Sequence, residues 1–294
     1  MFKKIFFFIL IIILIVLYFV SRGNPGKITD ETVKVKNGGA IETMSVDDYV
    51  IHAVAAEVPA SYESEALKAQ AVAARTYLYS KMGRNVPEHN GADICTDPSH
   101  CQGYSDKPLS EIDDKIKDAV IATHDLIITY DGQPIKAFYF AVSGGHTEDC
   151  AEVWGGNLPY LKSVDSSVDE TSPGFLSSKE YSLEEFNGIV RDKFGIEAAG
   201  PIIGNVEHTS GGGVSSVEIY GTRVKGTDMR SAFSLRSANF SIEAADGRVT
   251  FSVKGYGHGV GMSQYGANEL AKTGADFREI LRHYYTGAEI VVSG

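Results

Sequence analysis

The sequence predicts an α+β fold, with helices and sheets mixed along the chain and no regular βαβ rhythm. One long helix and several irregularly spaced strands carry that prediction. Residues 64–81, SEALKAQAVAARTYLYSK, are rich in strong helix formers, and Leu67, Ala71, Ala74 and Leu78 recur at helical spacing to give a buried stripe. ETVKVKN at 31–37 alternates as a strand does, and 126–130 and 135–142 are apolar runs separated by the turn DGQP. Such runs without crossover helices between them argue for α+β rather than a doubly wound sheet. With 294 residues, 43% of them hydrophobic and 22% charged, the chain suits one large domain or two modest ones, and disorder is excluded.

Residues 5–20, IFFFILIIILIVLYFV, are an unbroken apolar run preceded by Lys3 and Lys4. As a helix the run spans roughly 24 Å, close to the hydrocarbon thickness of a membrane once flanking Lys and Arg snorkel. It exceeds a signal-peptide core, and YFVSRGNPG offers no small-residue cleavage site, so a retained anchor is expected. The basic flank precedes the run, which places the N-terminus in the cytoplasm and the body outside. Lys3, Lys4 and Arg22 are the only charges before residue 23. The formal net charge of −11 therefore becomes −14 on the remainder, a poor match to a phosphate backbone, and nucleic acid is not an expected partner.

The expected organisation is a cytoplasmic tip and anchor at 1–22, a linker and first strand at 23–43, a region 44–150 and a second half 151–294, with the two halves possible lobes around a cleft. Within it, 44–58 begins the first helical pattern and Pro59 ends it. Residues 85–105 form a polar loop. Helices are expected at 115–123, at 182–194 with Ser182 and Glu185 as a capping box, and at 276–285. Residues 201–255 read as strands and turns.

Three stretches carry chemistry. In AAEVPASYESEALKAQAVAARTYLYS, Glu57 sits among apolar neighbours, where lost solvation raises a carboxyl pKa toward general-acid use; a helix-end acid in a salt bridge is the plain alternative. Lys68 and Arg75 lie two turns apart on one face and suit either a polar chain substrate or solvent. In EHNGADICTDPSHCQGYS, His89, Cys95 and Cys101 form a donor set for a borderline-soft ion such as zinc. The fourth position is left to water, substrate, His100 or His146, and a Cys95–Cys101 disulfide is the competing reading. Cys150 reads as a free buried thiol. In GYGHGVGMSQYGANELAKTG, five glycines between 255 and 266 imply close backbone approach, while Tyr256, His258, Gln264 and Tyr265 are groups of the kind that line sugar sites.

Taken in order, AAEVPASYESEALKAQAVAARTYLY, DICTDPSHCQGYS, SGGHTEDCAEVWGGNLPYLKSVDS and GYGHGVGMSQYGANELAKTG resemble the stage II sporulation protein D family from about residue 44 to 287. The resemblance implies a membrane-tethered lytic transglycosylase that cleaves the MurNAc–GlcNAc β-1,4 bond of peptide-stripped peptidoglycan strands, forming 1,6-anhydro-MurNAc, during engulfment of the forespore. It implies Glu57 as the catalytic acid, Lys68, Arg75, Tyr77, His258, Gln264 and Tyr265 as residues of the site, and a glycan-binding cleft. It also implies a body facing the forespore outside the mother-cell membrane, with the stage II sporulation proteins P, an amidase, and M as partners. Zinc is read from ligand chemistry, ordering a loop rather than performing the reaction. A zinc amidase and a non-catalytic wall-binding scaffold are the alternative readings.

Overall fold

A computed structural model of the protein describes residues 31–293, and the predicted anchor at 5–20 lies outside them. Among the described residues no helix is long and apolar enough to cross a membrane. The chain starts with the hairpin β1 (Thr32–Asn37) and β2 (Ala40–Ser45), antiparallel with Thr32 opposite Ser45. Ser45 then caps α1 (Val46–Glu57), its hydroxyl accepting from the Asp48 backbone N–H at 3.1 Å. The first helix therefore begins two residues later than the apolar pattern suggests, because Met44 and Ser45 are held in the strand. Val58 is extended ahead of Pro59, which stops the helix as expected.

α2 (Ser64–Lys81) has the predicted bounds. After β3 (Ile94–Cys95), parallel to β1, come α3 (Asp114–Ala122), β4 (Leu126–Tyr130), β5 (Gln133–Pro134) and β6 (Tyr139–Phe140). The run at 135–142 thus pairs over only two residues. α4 (Cys150–Trp154), β7 (Leu176–Ser182) and α5 (Leu183–Phe194) follow, and α5 carries the expected Ser182–Glu185 capping box. Next are β8 (Ile203–His208), β9 (Val214–Ile219), β10 (Thr222–Lys225), the unpredicted α6 (Gly226–Ala232), β11 (Phe240–Ala245) and β12 (Arg248–Lys254). β13 (Met262–Ser263), α7 (Gln264–Lys272), α8 (Phe277–Tyr284) and β14 (Glu289–Val292) complete the chain. The small sheets run β2-β1-β3, β14-β4-β5, β13-β6, β10-β9-β8 and β11-β12-β7, and the α+β expectation holds.

The interior forms three apolar clusters. Leu67, Ala71, Ala74 and Leu78 of α2 pack against α1 and α3 in the first. The opposite side of α2, through Ala69, Val72 and Ala73, meets Ile280, Leu281 and Tyr284 in the second. α2 therefore buries two faces rather than one stripe, and its alanines let neighbours approach from both sides. The third cluster lies within 186–253, where Phe186 stacks on Phe233 and Phe251 packs tilted against Phe233. After it the chain returns. β14 pairs antiparallel with β4, the Asn268 side chain accepts from the Glu63 N–H at 2.7 Å, and Glu65 accepts from the Phe277 N–H at 3.0 Å. This return brings the glycine-rich C-terminal stretch to the end of α1.

Candidate functional site

Where α1 ends, a groove of 660 Å³ opens between the 98–102 loop, residues 137–141 and the C-terminal stretch, with Glu57, Tyr77, His100, Trp154, His258 and Gln264 on its walls. Glu57 is the one acidic side chain among the described residues lining it. The half-buried carboxylate is held from two sides. Oε1 accepts from the Gly103 backbone N–H at 2.6 Å, and Oε2 accepts from the Gln264 Nε2–H at 3.3 Å. The carboxylate that sequence places in an apolar setting is thus oriented by two polar donors, one from the cysteine loop and one from the first residue of α7.

Each donor is fixed by its own anchorage. Gln102, buried next to Gly103, donates to the Tyr49 hydroxyl at 2.9 Å and accepts from the Tyr139 hydroxyl at 2.7 Å, tying the loop to α1 and β6. Burial pushes both phenols well above their ordinary pKa, so both stay protonated. A side chain at Gly103 would push the carboxylate aside, since its Cβ would lie 2.9 Å from Glu57 Oε1. On the other side, Ser263 caps α7 by accepting from the Gly266 N–H at 3.1 Å. Fully buried Asp169 holds Ser263 in place, accepting from its hydroxyl at 2.8 Å and from that of Ser166 at 2.7 Å. Burial raises the Asp169 pKa against the pull of these serine bonds.

The glycines of the C-terminal stretch serve backbone approach to residues 138–142. At Gly261 (φ +87°) a Cβ would lie 2.0 Å from the Phe138 carbonyl oxygen, and at Gly257 (φ +119°) it would lie 2.7 Å from Phe140 Cβ. Between them the His258 ring rests among Phe140 at 5.6 Å and Trp154 at 5.0 Å, centroid to centroid. His258 Nδ1 accepts from the Val260 N–H at 3.1 Å, and the ring donates to the Tyr139 carbonyl. Burial, reinforced by the nearby Arg230 charge, lowers its pKa to about 4. At neutral pH His258 is therefore an uncharged ring with both nitrogens engaged by backbone, suited to shaping the groove rather than moving protons.

The cysteine loop gathers four donors beside the groove: His89, Cys95, His100 and Cys101, with all ligand atoms within 4.8 Å of one another. His89 Nε2 lies 3.2 Å from Cys101 Sγ, His100 Nδ1 lies 3.4 Å from Cys95 Sγ, and the two sulfurs are 3.4 Å apart. Both cysteines are free, which removes the disulfide alternative, and the spacings fit donors sharing one tetrahedral ion. Of the candidates for the fourth position, His100 is the one that lies with the other three donors, whereas His146 lies 3.8 Å from Asp165 on the surface. Cys150 is a free buried thiol, as expected.

The family profile described as stage II sporulation protein matches residues 34–130, which span the Glu57 helix and the four-donor loop. Stage II sporulation protein D of Bacillus amyloliquefaciens is 38% identical over 263 residues, covering 85% of this chain and 75% of that protein. The chain belongs to the stage II sporulation protein D family. The Bacillus subtilis protein of the same name is 38% identical over 264 residues, covering 85% of this chain and 76% of the relative. A B. subtilis protein named amidase enhancer is 30% identical over 287 residues, covering 80% of this chain and 39% of that protein.

Not all residues suggested by likeness to this family meet in the groove. Glu57, Tyr77, His258 and Gln264 do. Tyr77 packs its ring 6.0 Å from Phe138, and burial raises its pKa. Arg75 lies elsewhere: it is 1% exposed and its guanidinium donates to the carbonyls of Thr123 at 2.7 Å and Val120 at 3.2 Å and to Asp47 Oδ1 at 3.0 Å. These bonds fasten the end of α3 to α2 and leave nothing directed at the groove. Lys68, set by spacing on the same face, is half-exposed and pairs with Glu65 at 2.6 Å, outside the lining. Tyr265 also stands outside it, its hydroxyl 3.3 Å from that of Thr171. Gly103, Gln102, Tyr139, Trp154 and Asp169 are the additions that sequence reading did not single out. Of these, only Gly103 carried a local signal, a glycine two residues beyond the last cysteine.

Proposed function

We propose that the protein is a lytic transglycosylase acting on peptide-stripped peptidoglycan strands during engulfment, with Glu57 as its acid and base. The observation that carries this reading is a groove walled by aromatic rings with a single carboxylate. Hydrolases that retain or invert need a pair of carboxyl groups, whereas one suffices when the substrate supplies its own nucleophile. Protonated Glu57 donates to the glycosidic oxygen of the MurNAc–GlcNAc bond as the C1–O bond breaks. The acetamido group of the same MurNAc stabilises the developing positive charge at C1. Glu57, now ionised, takes the proton of the C6 hydroxyl, and O6 bonds to C1 to close the anhydro ring. Trp154, 46% exposed, and Tyr256, 48% exposed, offer apolar faces to sugar rings.

Zinc suits the His₂Cys₂ cluster: His89, Cys95, His100 and Cys101 would hold it with four protein donors, as a structural site does. Its service would be to hold the 95–103 loop and through it the Gly103 N–H on Glu57. A zinc amidase, which needs an open coordination position, is disfavoured on the same ground. An amidase is nonetheless the activity that must act first to strip the peptides, consistent with stage II sporulation proteins P and M as partners and a body tethered outside the mother-cell membrane. The amidase-enhancer name of one relative favours a second reading, a non-catalytic partner of such an enzyme. Mass analysis of strands incubated with the full chain, with Glu57→Gln in parallel, tests both. Anhydro-MurNAc ends that vanish in the variant are expected. Unchanged strands with both proteins would favour the second reading, and anhydro ends persisting in the variant would remove Glu57 from its role.

A further inference from the structure

Beside His258 the groove meets a feature that neither catalysis nor folding uses. Tyr256 lines the groove and its ring carries the Arg236 guanidinium 4.5 Å from the centroid. Arg236 is itself fixed next to the glycine stretch, its carbonyl accepting from the Gly257 N–H at 2.9 Å. Arg230, half-buried on α6, lies close enough to His258 and Tyr256 to act on both electrostatically. Among the described residues, neither guanidinium has an ion pair or hydrogen bond with any side chain or carbonyl. In a chain with formal net charge −11 and 38 acids, two such unpaired arginines beside the groove-lining Tyr256, neither of them part of the lining itself, are cations held for something outside the chain.

The chemistry of the substrate supplies an anion for them. In a peptide-bearing strand the lactyl carboxyl of MurNAc is tied up as an amide, and stripping the peptide leaves it as a carboxylate on every second sugar. A guanidinium is the side chain best matched to a carboxylate, and one stacked on an aromatic ring is pre-oriented for it. We propose that Arg230 and Arg236, with Tyr256, read the free lactyl carboxylate of a MurNAc seated in the groove, so that the charge uncovered by peptide removal selects the substrate. The proposal rests on the glycan reading above and names the feature of the glycan that is recognised.

Binding of labelled strands of equal length to the full chain carrying Glu57→Gln, which prevents turnover, tests it. Three strands are compared: free lactyl carboxylates, their methyl esters, and intact stem peptides. Free strands should bind ~10- to 100-fold tighter than the esters, the range of one or two charge-assisted bonds. Adding Arg230→Gln or Arg236→Gln should bring that ratio towards one while leaving ester affinity unchanged, and Arg236→Lys should retain part of it. An undiminished ratio in the variants would overturn the proposal, and so would tighter binding of peptide-bearing strands, which would assign the arginines to stem-peptide carboxylates. Charge-blind binding accompanied by anhydro products from the wild type would sink the arginine assignment alone. No binding to any strand, with no products, would sink the glycan reading and this proposal with it. Unchanged melting temperatures establish that the variants are folded.

Discussion

Gly103→Ala isolates the positioning of Glu57 from its chemistry. The backbone at Gly103 is not left-handed, so alanine meets no conformational penalty there; the new methyl group meets the acid instead. Its Cβ would stand 2.9 Å from Glu57 Oε1 and 3.2 Å from both Glu57 Cδ and Ala56 Cβ. Relief requires the carboxylate to move by roughly 0.5–1 Å to reach ordinary contact, which lengthens or breaks the 2.6 Å bond from the Gly103 N–H. A charge-assisted bond of this kind is worth ~1.5–3 kcal/mol, and a misplacement near 1 Å costs about 100-fold in rate. We expect kcat for anhydro-product formation to fall by ~10- to 100-fold, with Glu57 intact and the melting temperature within a few degrees of wild type. The pairing of a strong kinetic effect with a small stability effect is the signature, because the displaced atoms end a flexible side chain. A variant within twofold of wild type would refute the claim that Gly103 sets the carboxylate.

Other expectations follow from the same geometry. Arg75→Ala removes the bonds of a buried guanidinium to Asp47, which keeps His124 Nδ1 at 2.6 Å, and to the carbonyls of Val120, Thr123 and Leu126, so it should destabilise by ~1.5–3 kcal/mol in chemical denaturation while leaving kcat per folded molecule unchanged; a selective loss of kcat would return Arg75 to the groove. Metal analysis should find one zinc per chain. Its removal by a chelator should lower the melting temperature and the activity together, and neither effect should follow treatment of Cys95→Ser/Cys101→Ser protein. His258 has a folded pKa of about 4, below its ordinary value, so the unfolded chain binds the extra proton first. Stability should therefore fall as pH drops from about 6.5 through 4, the loss reaching ~3 kcal/mol at most. His258→Asn should remove that component, and an NMR titration giving an unshifted His258 would contradict it.

Local signals made much of this molecule legible. Helix formers and caps fixed α2 and α5, because those choices are made within a few residues. β2, α6 and α7 were not legible: β2 depends on pairing with β1, while Gly226 opens α6 and the glycine-rich stretch reads locally as turn up to Ser263. The site divides the same way. Glu57 and the donors His89, Cys95 and Cys101 lie in short motifs whose residue types announce chemistry. The contacts that orient Glu57 come from Gly103 and Gln264, 46 and 207 residues along the chain, and no periodicity reports such a meeting. Arg75 shows the converse failure, since helical spacing places it on a face but does not reveal that the end of α3 covers that face.

The account turns on what closes on C1 after the glycosidic bond breaks. Digestion of peptide-stripped strands by the full chain in ¹⁸O-labelled water, followed by mass spectrometry of the new ends, decides it directly. If O6 of the same sugar is the nucleophile, the new MurNAc ends are anhydro, carry no label and resist borohydride reduction. Ends heavier by one labelled water and reducible by borohydride would mean that solvent attacks C1, and the single-carboxylate account of Glu57 would be wrong.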